Sequence, residues 1–165
     1  MTAVRIATDR GDIDIELYEA QAPASSAYFL GDVRSGLLDD TSFFRVVRAD
    51  DPATEPERQI EVIQGGLRPD DPDIAPVVPH ESTAVTGLRH LAGSVALARW
   101  APGAVYHSFF ICLRDEPGLD AGGARTRDGQ GQAVFGWVSS GMDVVRTIHA
   151  RGGARIVTAE ARPLG

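Results

Sequence analysis

Two short apolar alternations on either side of a polar break constrain this chain more than any other feature. Val4, Ile6 and Thr8 share one period-two register, and Ile13, Ile15 and Leu17 resume it after Asp9-Arg10-Gly11-Asp12. Side chains that recur at every second residue lie on one face of a strand, whereas a helix would scatter them. Residues 4–17 are therefore predicted to form a β-hairpin, with Gly11 supplying a left-handed turn conformation at little steric cost. A hairpin with one apolar face must bury that face against further sheet or helix.

The strand signal returns along the chain. TSFFRVV at 41–47, IEVIQGG at 60–66, GSVALARW at 93–100, Tyr106 to Leu113 and Ala133 to Val138 are rich in β-branched and aromatic residues, and Arg155 to Ala161 is a last candidate strand. PASSAYFLGDVRSG differs: Ala27 and Leu30 follow helical spacing, Pro23 suits a first turn and Gly36 suits a helix end. A second helix is predicted over Gly141 to His149, where Met142, Val145 and Ile148 repeat every three residues, with Ser140 as its cap. RADDPATEPERQ at 48–59, RPDDPDIAPVVPHE at 68–81 and Arg125 to Gly131 are polar and rich in turn formers, so they are predicted loops. Many short strands with two short helices favour a β-rich barrel over a Rossmann unit.

Composition narrows the function. A chain of 165 residues supports one substantial core, and one domain over residues 1–165 is expected. The net charge of −7 repels nucleic-acid phosphates and anionic membranes, so neither is an expected partner. All 16 basic residues are arginine, which excludes a Schiff-base lysine and the lysine of a phosphate-binding Walker loop. Cys112 is the one cysteine, so no internal disulfide forms, and its apolar neighbours Ile111 and Leu113 point to a buried strand thiol. The N-terminal segment shows no uninterrupted apolar targeting stretch, and a cytoplasmic location is expected.

Metal and cofactor motifs are incomplete. HESTA lacks the closing histidine of HExxH, GQGQAVFG lacks GxGxxG spacing, and DDPD does not follow a calcium-loop spacing. His107-Ser108 has no nucleophile-elbow context. No cofactor and no metal are expected.

The phrases FFRVV, VIQGG, GSVALAR, SFFICL and VFGWVSSGMDVV, in that order and over nearly the whole chain, resemble the cyclophilin family of peptidyl-prolyl cis-trans isomerases. The resemblance implies a mainly β fold, an eight-stranded antiparallel barrel capped by two helices, with a peptide groove on its outer wall. It implies that Arg45 is the catalytic arginine, that Gln64 binds the substrate backbone, and that Val62 and Phe110 line the proline pocket. Ser108 stands where the family has a second backbone-binding glutamine.

Several pocket positions depart from the family pattern. Phe44 replaces the histidine before the arginine, and Glu61 aligns with a pocket phenylalanine. Gly118 stands where an aromatic residue or histidine is common, and Gln132 approximately matches a histidine. Arg99 and Trp100 occupy a strand exit where small or polar residues are usual. The leading expectation is isomerisation of Xaa-Pro bonds in proline-containing peptides or proteins. The sequence also fits two alternatives: noncatalytic proline-peptide binding, and small-molecule chemistry using Glu61, His107, Tyr106 and His80.

Overall fold

The computed structural model describes residues 1–164. Its strands are β1 (Thr2–Thr8), β2 (Gly11–Leu17), β3 (Thr41–Val47), β4 (Val62–Gly66), β5 (Ser94–Arg99), β6 (Val105–Cys112), β7 (Ala133–Ser140) and β8 (Ala154–Pro163). The helices are α1 (Pro23–Arg34), the four-residue α2 (Thr83–Thr86) and α3 (Met142–Arg151). Each strand pairs antiparallel with both neighbours in the closed order β1-β2-β7-β5-β6-β4-β3-β8. Closure leaves no unpaired edge among the described strands to recruit another chain.

The hairpin alternation reads out directly in the register. Val4 faces Ile15 and Ile6 faces Ile13 across β1 and β2, and all four are buried. With Phe43, Ile63, Phe109, Ile111, Phe135 and Ile156 they fill the barrel interior.

The helices close opposite mouths of this barrel. Phe29 of α1 meets Phe109 and Phe135 at ring-centroid distances of 5.3 and 4.9 Å. A helical side chain reaches interior-facing rings only through an open end. Tyr28 and Asp32 of α1 contact His107, beside the Gly66 end of β4, whereas His149 of α3 contacts the Val47 carbonyl beside the Val62 end. Val145 and Ile148 carry the apolar face of α3 into the core.

The predicted start of α3 is corrected by one residue, to Met142, with Gly141 in the cap position. Ser140 belongs to β7, paired with Asp14, and makes no cap hydrogen bond. The N-cap is Gly141 at φ +101°, and a Cβ there would stand 2.5 Å from the Asp12 carbonyl oxygen. Only glycine accepts both that φ and that approach. Helix α1 also lacks a local side-chain cap: the Glu81 carboxylate accepts from the Ala24 and Ser25 N–H groups at 3.1 and 2.7 Å. This matches a negative group to the positive end of the helix. Glu81 lies in the HESTA stretch, which also supplies Ser82 as the N-cap of α2.

Candidate active site

A strand in a filled barrel has a second face, and here that face is also partly apolar. Val62 and Gln64 of β4, Ser108, Phe110 and Cys112 of β6, and Ala96 and Ala98 of β5 have the opposite parity to the interior residues Ile63, Phe109, Ile111, Val95 and Leu97. Ile60, Val62, Ala96, Ala98, Phe110, Cys112 and Leu119 form a separate apolar cluster on the outer wall. Leu119 comes from a 3₁₀ turn at Pro117–Leu119 that folds over the sheet.

Strand β3 brings Arg45 to the same face through a bulge. Ser42 pairs with Gly66 but Arg45 with Gln64, so three steps on β3 oppose two on β4. Phe43 consequently points into the core, while Arg45, two residues later, points out beside Gln64. Gly66 closes this corner with φ +108°; a Cβ there would lie within 2.4 Å of the His107 carbonyl oxygen.

Together these residues surround an open pocket of about 80 Å³. Its walls are Arg45, Ile60, Val62, Gln64, Ala98, Arg99, Tyr106, Phe110, Leu119, Arg125 and Gln132. One polar chain crosses its edge. Arg45 Nη1 donates to Gln64 Oε1 at 3.2 Å, and Gln64 Nε2 donates to Ser108 Oγ at 3.0 Å and Tyr106 Oη at 3.3 Å. Ser108 Oγ in turn donates to the Gly65 carbonyl at 3.0 Å. The network orients the Gln64 amide, because its oxygen meets the guanidinium and its nitrogen meets two hydroxyls. Burial pushes the Tyr106 phenol up, an effect moderated by the Gln64 hydrogen bond and the Arg45 charge, so Tyr106 stays protonated at neutral pH.

The structure sorts the residues singled out from sequence. Arg45, Val62, Gln64 and Phe110 converge on the pocket, and Arg99 and Gln132 also line it. Ser108 does not line the pocket; it is buried behind Gln64. Phe44 lies outside the pocket with the Arg68 guanidinium 5.0 Å from its ring centroid. Trp100 is an exposed rim residue packed on Tyr106 at 5.5 Å. Gly118 does not line the pocket; it packs beside Arg125 and Glu57, where a Cβ would stand 3.8 Å from the Arg125 Cβ and from the Glu57 carbonyl oxygen.

Glu61 points away from the pocket. Its Oε1 accepts from the Ala49 N–H at 2.8 Å and its Oε2 lies 3.3 Å from His149 Nε2. Ile60 supplies the apolar wall instead. We expect Glu61→Gln to change kcat/KM by less than about twofold and to lower stability by about 1 kcal/mol, the scale of one hydrogen bond to a charged group partly weakened. Peptide turnover and urea unfolding check the two halves; a large loss of activity would return Glu61 to the site.

Ile60, Ala98, Leu119 and Arg125 are pocket residues that no motif in the sequence marks, and Tyr106 joins them as a hydrogen-bond partner of Gln64 rather than as a proton-transfer group. Strand parity with Val62 and Ala96 signals Ile60 and Ala98. Leu119 and Arg125 lie in a non-periodic segment that carries no such signal.

Behind Phe110, the fully buried His90 ring stacks at 6.0 Å and its Nδ1 lies 2.7 Å from Asp120 Oδ1. Burial pushes the Asp120 carboxyl up, but hydrogen bonds from the His90 ring and amide outweigh it and hold the carboxyl below its ordinary range. Burial raises the Cys112 thiol well above its ordinary value, which leaves it a packing group rather than a nucleophile. The groups considered for small-molecule chemistry do not converge on this pocket, although Tyr106 and His107 both border a separate cleft beside residues 67–77. Glu61 meets His149, His107 meets Asp32 and Tyr28, His80 meets the Gln130 carbonyl, and Tyr106 alone reaches the pocket. Among the described residues no group of three His, Cys, Asp or Glu side chains is arranged to hold a metal ion. No helix among them is long and apolar enough to cross a membrane.

These features define a closed β-barrel with an arginine-edged apolar cleft on its outside wall. The chain belongs to the cyclophilin-type peptidyl-prolyl cis-trans isomerase family, whose description, "Cyclophilin type peptidyl-prolyl cis-trans isomerase/CLD", matches residues 3–163. It is 36% identical over 149 residues to the peptidyl-prolyl cis-trans isomerase cyp18 of Streptomyces antibioticus, covering 90% of this chain and 83% of that one. It is 32% identical to peptidyl-prolyl cis-trans isomerase B of Escherichia coli, covering 86% and 80%. The fold matches a cyclophilin-type isomerase from Cryptosporidium parvum with a TM-score of 0.69 over 98% of this chain and 99% of that chain, at 20% identity.

Proposed function

We propose that this protein catalyses cis-trans isomerisation of Xaa-Pro peptide bonds, with Arg45 as the catalytic residue. The observation that carries this reading is the position of the Arg45 guanidinium, tethered by Gln64 at the edge of an apolar seat made by Val62, Phe110, Ala98, Leu119 and Ile60. Among the described residues Arg45 is in no ion pair with a carboxylate.

Amide resonance sets a barrier of about 18–20 kcal/mol to rotation. As the bond twists, the proline nitrogen regains its lone pair and becomes a hydrogen-bond acceptor. A guanidinium N–H aimed at that nitrogen stabilises the twisted state more than either planar state, which is the requirement for catalysis without bond breaking. The apolar seat holds the proline ring still while the preceding residue turns. Gln64, whose amide hydrogens are given to Ser108 and Tyr106, holds the substrate backbone by accepting an N–H at Oε1, and Ser108 acts through Gln64 as a positioning residue.

The substrates we propose are proline-containing peptides and unfolded proteins in the cytoplasm. The Cryptosporidium parvum relative was solved in the presence of the dipeptide Ala-Pro, which supports this substrate class. Two-dimensional exchange NMR on a capped Ala-Pro peptide tests the reading. Both interconversion rates should rise in proportion to protein while the cis:trans ratio stays fixed; unchanged rates would reject it.

A further inference from the structure

A chain with a net charge of −7 places three arginines and no carboxylate on the walls of this pocket. They are not equivalent. Arg99 is neutralised: Nη1 and Nη2 meet the two Asp128 oxygens at 2.9 and 3.0 Å, and Nε donates to the Gly131 carbonyl at 3.1 Å. That side chain is committed to holding the 120–131 loop. Arg45 and Arg125 have no carboxylate partner among the described residues, and neither does the adjacent Arg58.

Arg58 and Arg125 are clasped together. Arg125 Nη1 donates to the Arg58 carbonyl at 2.8 Å and Arg58 Nη2 donates to the Arg125 carbonyl at 3.2 Å. The reciprocal bonds tie the 48–59 loop to the 120–131 loop and fix two like charges beside a third. Arg58 Nε is buried without a hydrogen-bond partner. The one carboxylate that favours the charged form of Arg125, Glu116, is occupied by the Glu61 N–H at 2.6 Å and Arg114 Nε at 3.0 Å. Gathering like charges in a half-buried site is unfavourable unless an anion joins them.

We propose that Arg125, together with Arg45, makes this pocket select a carboxylate adjacent to the proline, carried on an acidic side chain or on a free C-terminus. The inference rests on the isomerase reading and adds its substrate preference. The neutral proline ring fills the apolar seat, and the carboxylate lies across the cationic edge that Arg45 and Arg125 form on the pocket wall. Arg125 is then a specificity-determining residue.

Exchange NMR on matched peptides tests this. One pair carries Glu or Gln before proline, a second carries Glu or Gln after it, and a third ends in proline as a free acid or an amide, so the arms separate the carboxylate's source and position. At low ionic strength at least one acidic member should exceed its neutral twin by about tenfold in kcat/KM. The ratio should fall towards one as salt shortens the screening length to about 3 Å near 1 M. Arg125→Gln should reduce the ratio to less than about twofold; the salt dependence of the wild type gives the same information without a variant. A wild-type ratio near one in all three pairs, or a preference that survives in folded Arg125→Gln, overturns the inference while leaving isomerisation intact. If no peptide exchanges faster, the isomerase reading fails, and chemical-shift titration of the same pairs then decides whether the carboxylate preference stands.

Discussion

Arg45→Ala lowers kcat/KM for an Ala-Pro peptide by about 100- to 1,000-fold, the scale set by removing one donor from a transition-state site. The loss falls mainly on kcat. The donor meets the proline nitrogen only as resonance is lost, so planar substrate binds almost as before and KM changes little. Arg45→Lys recovers only part of the rate, because a point charge on a flexible stem does not reproduce the directed guanidinium fork. Stability hardly moves, since Arg45 is exposed and its one side-chain bond is to Gln64. A variant that unfolds in urea like the wild type yet retains full turnover would remove Arg45 from the mechanism.

Adjacent aromatic residues should fail in opposite ways. Phe109 points into the barrel, with its ring 5.3 Å from Phe29 and 5.6 Å from Phe43 in edge-on arrangements. Phe109→Ala should cost about 3–5 kcal/mol of stability by opening a cavity in a closed shell of strands that cannot collapse to fill it. That is a large share of the roughly 5–15 kcal/mol by which a domain is stable. Phe110 points outward to the pocket floor. Phe110→Ala should cost less in stability and about 10- to 100-fold in kcat/KM, the equivalent of about 1.5–3 kcal/mol of apolar contact withdrawn from the proline ring. Urea unfolding and peptide exchange on the two variants separate these effects; equal stability losses with unchanged turnover in both would contradict the facing of β6.

The contrast shows what was legible in the sequence. Alternation in Val4, Ile6, Ile13 and Ile15 read correctly because both hairpin strands are regular there. The start of α1 at Pro23 was legible from a backbone restraint that proline carries with it. Arg45 was legible only as part of a motif. Simple alternation puts it on the face of Phe43, and the bulge that separates them leaves no local signal. Glu61 shows the reverse: strand parity from Gln64 through Val62 leads to Ile60, whereas correspondence with the family pattern pointed to Glu61. Ser140 has the side chain of a cap, but the close approach of Asp12 selects Gly141. Contacts made over long separations were out of reach, as with Glu81 on the first turn of α1 and Arg125 clasping Arg58.

The most direct test is one NMR titration that reads binding and exchange together, with a capped Ala-Pro peptide and isotope-labelled protein. The account predicts shifts at Arg45, Val62, Gln64, Ala98 and Phe110, and faster interconversion in both directions at an unchanged cis:trans ratio. Shifts at the same residues without faster interconversion would contradict it, leaving a protein that holds proline peptides and does not turn them.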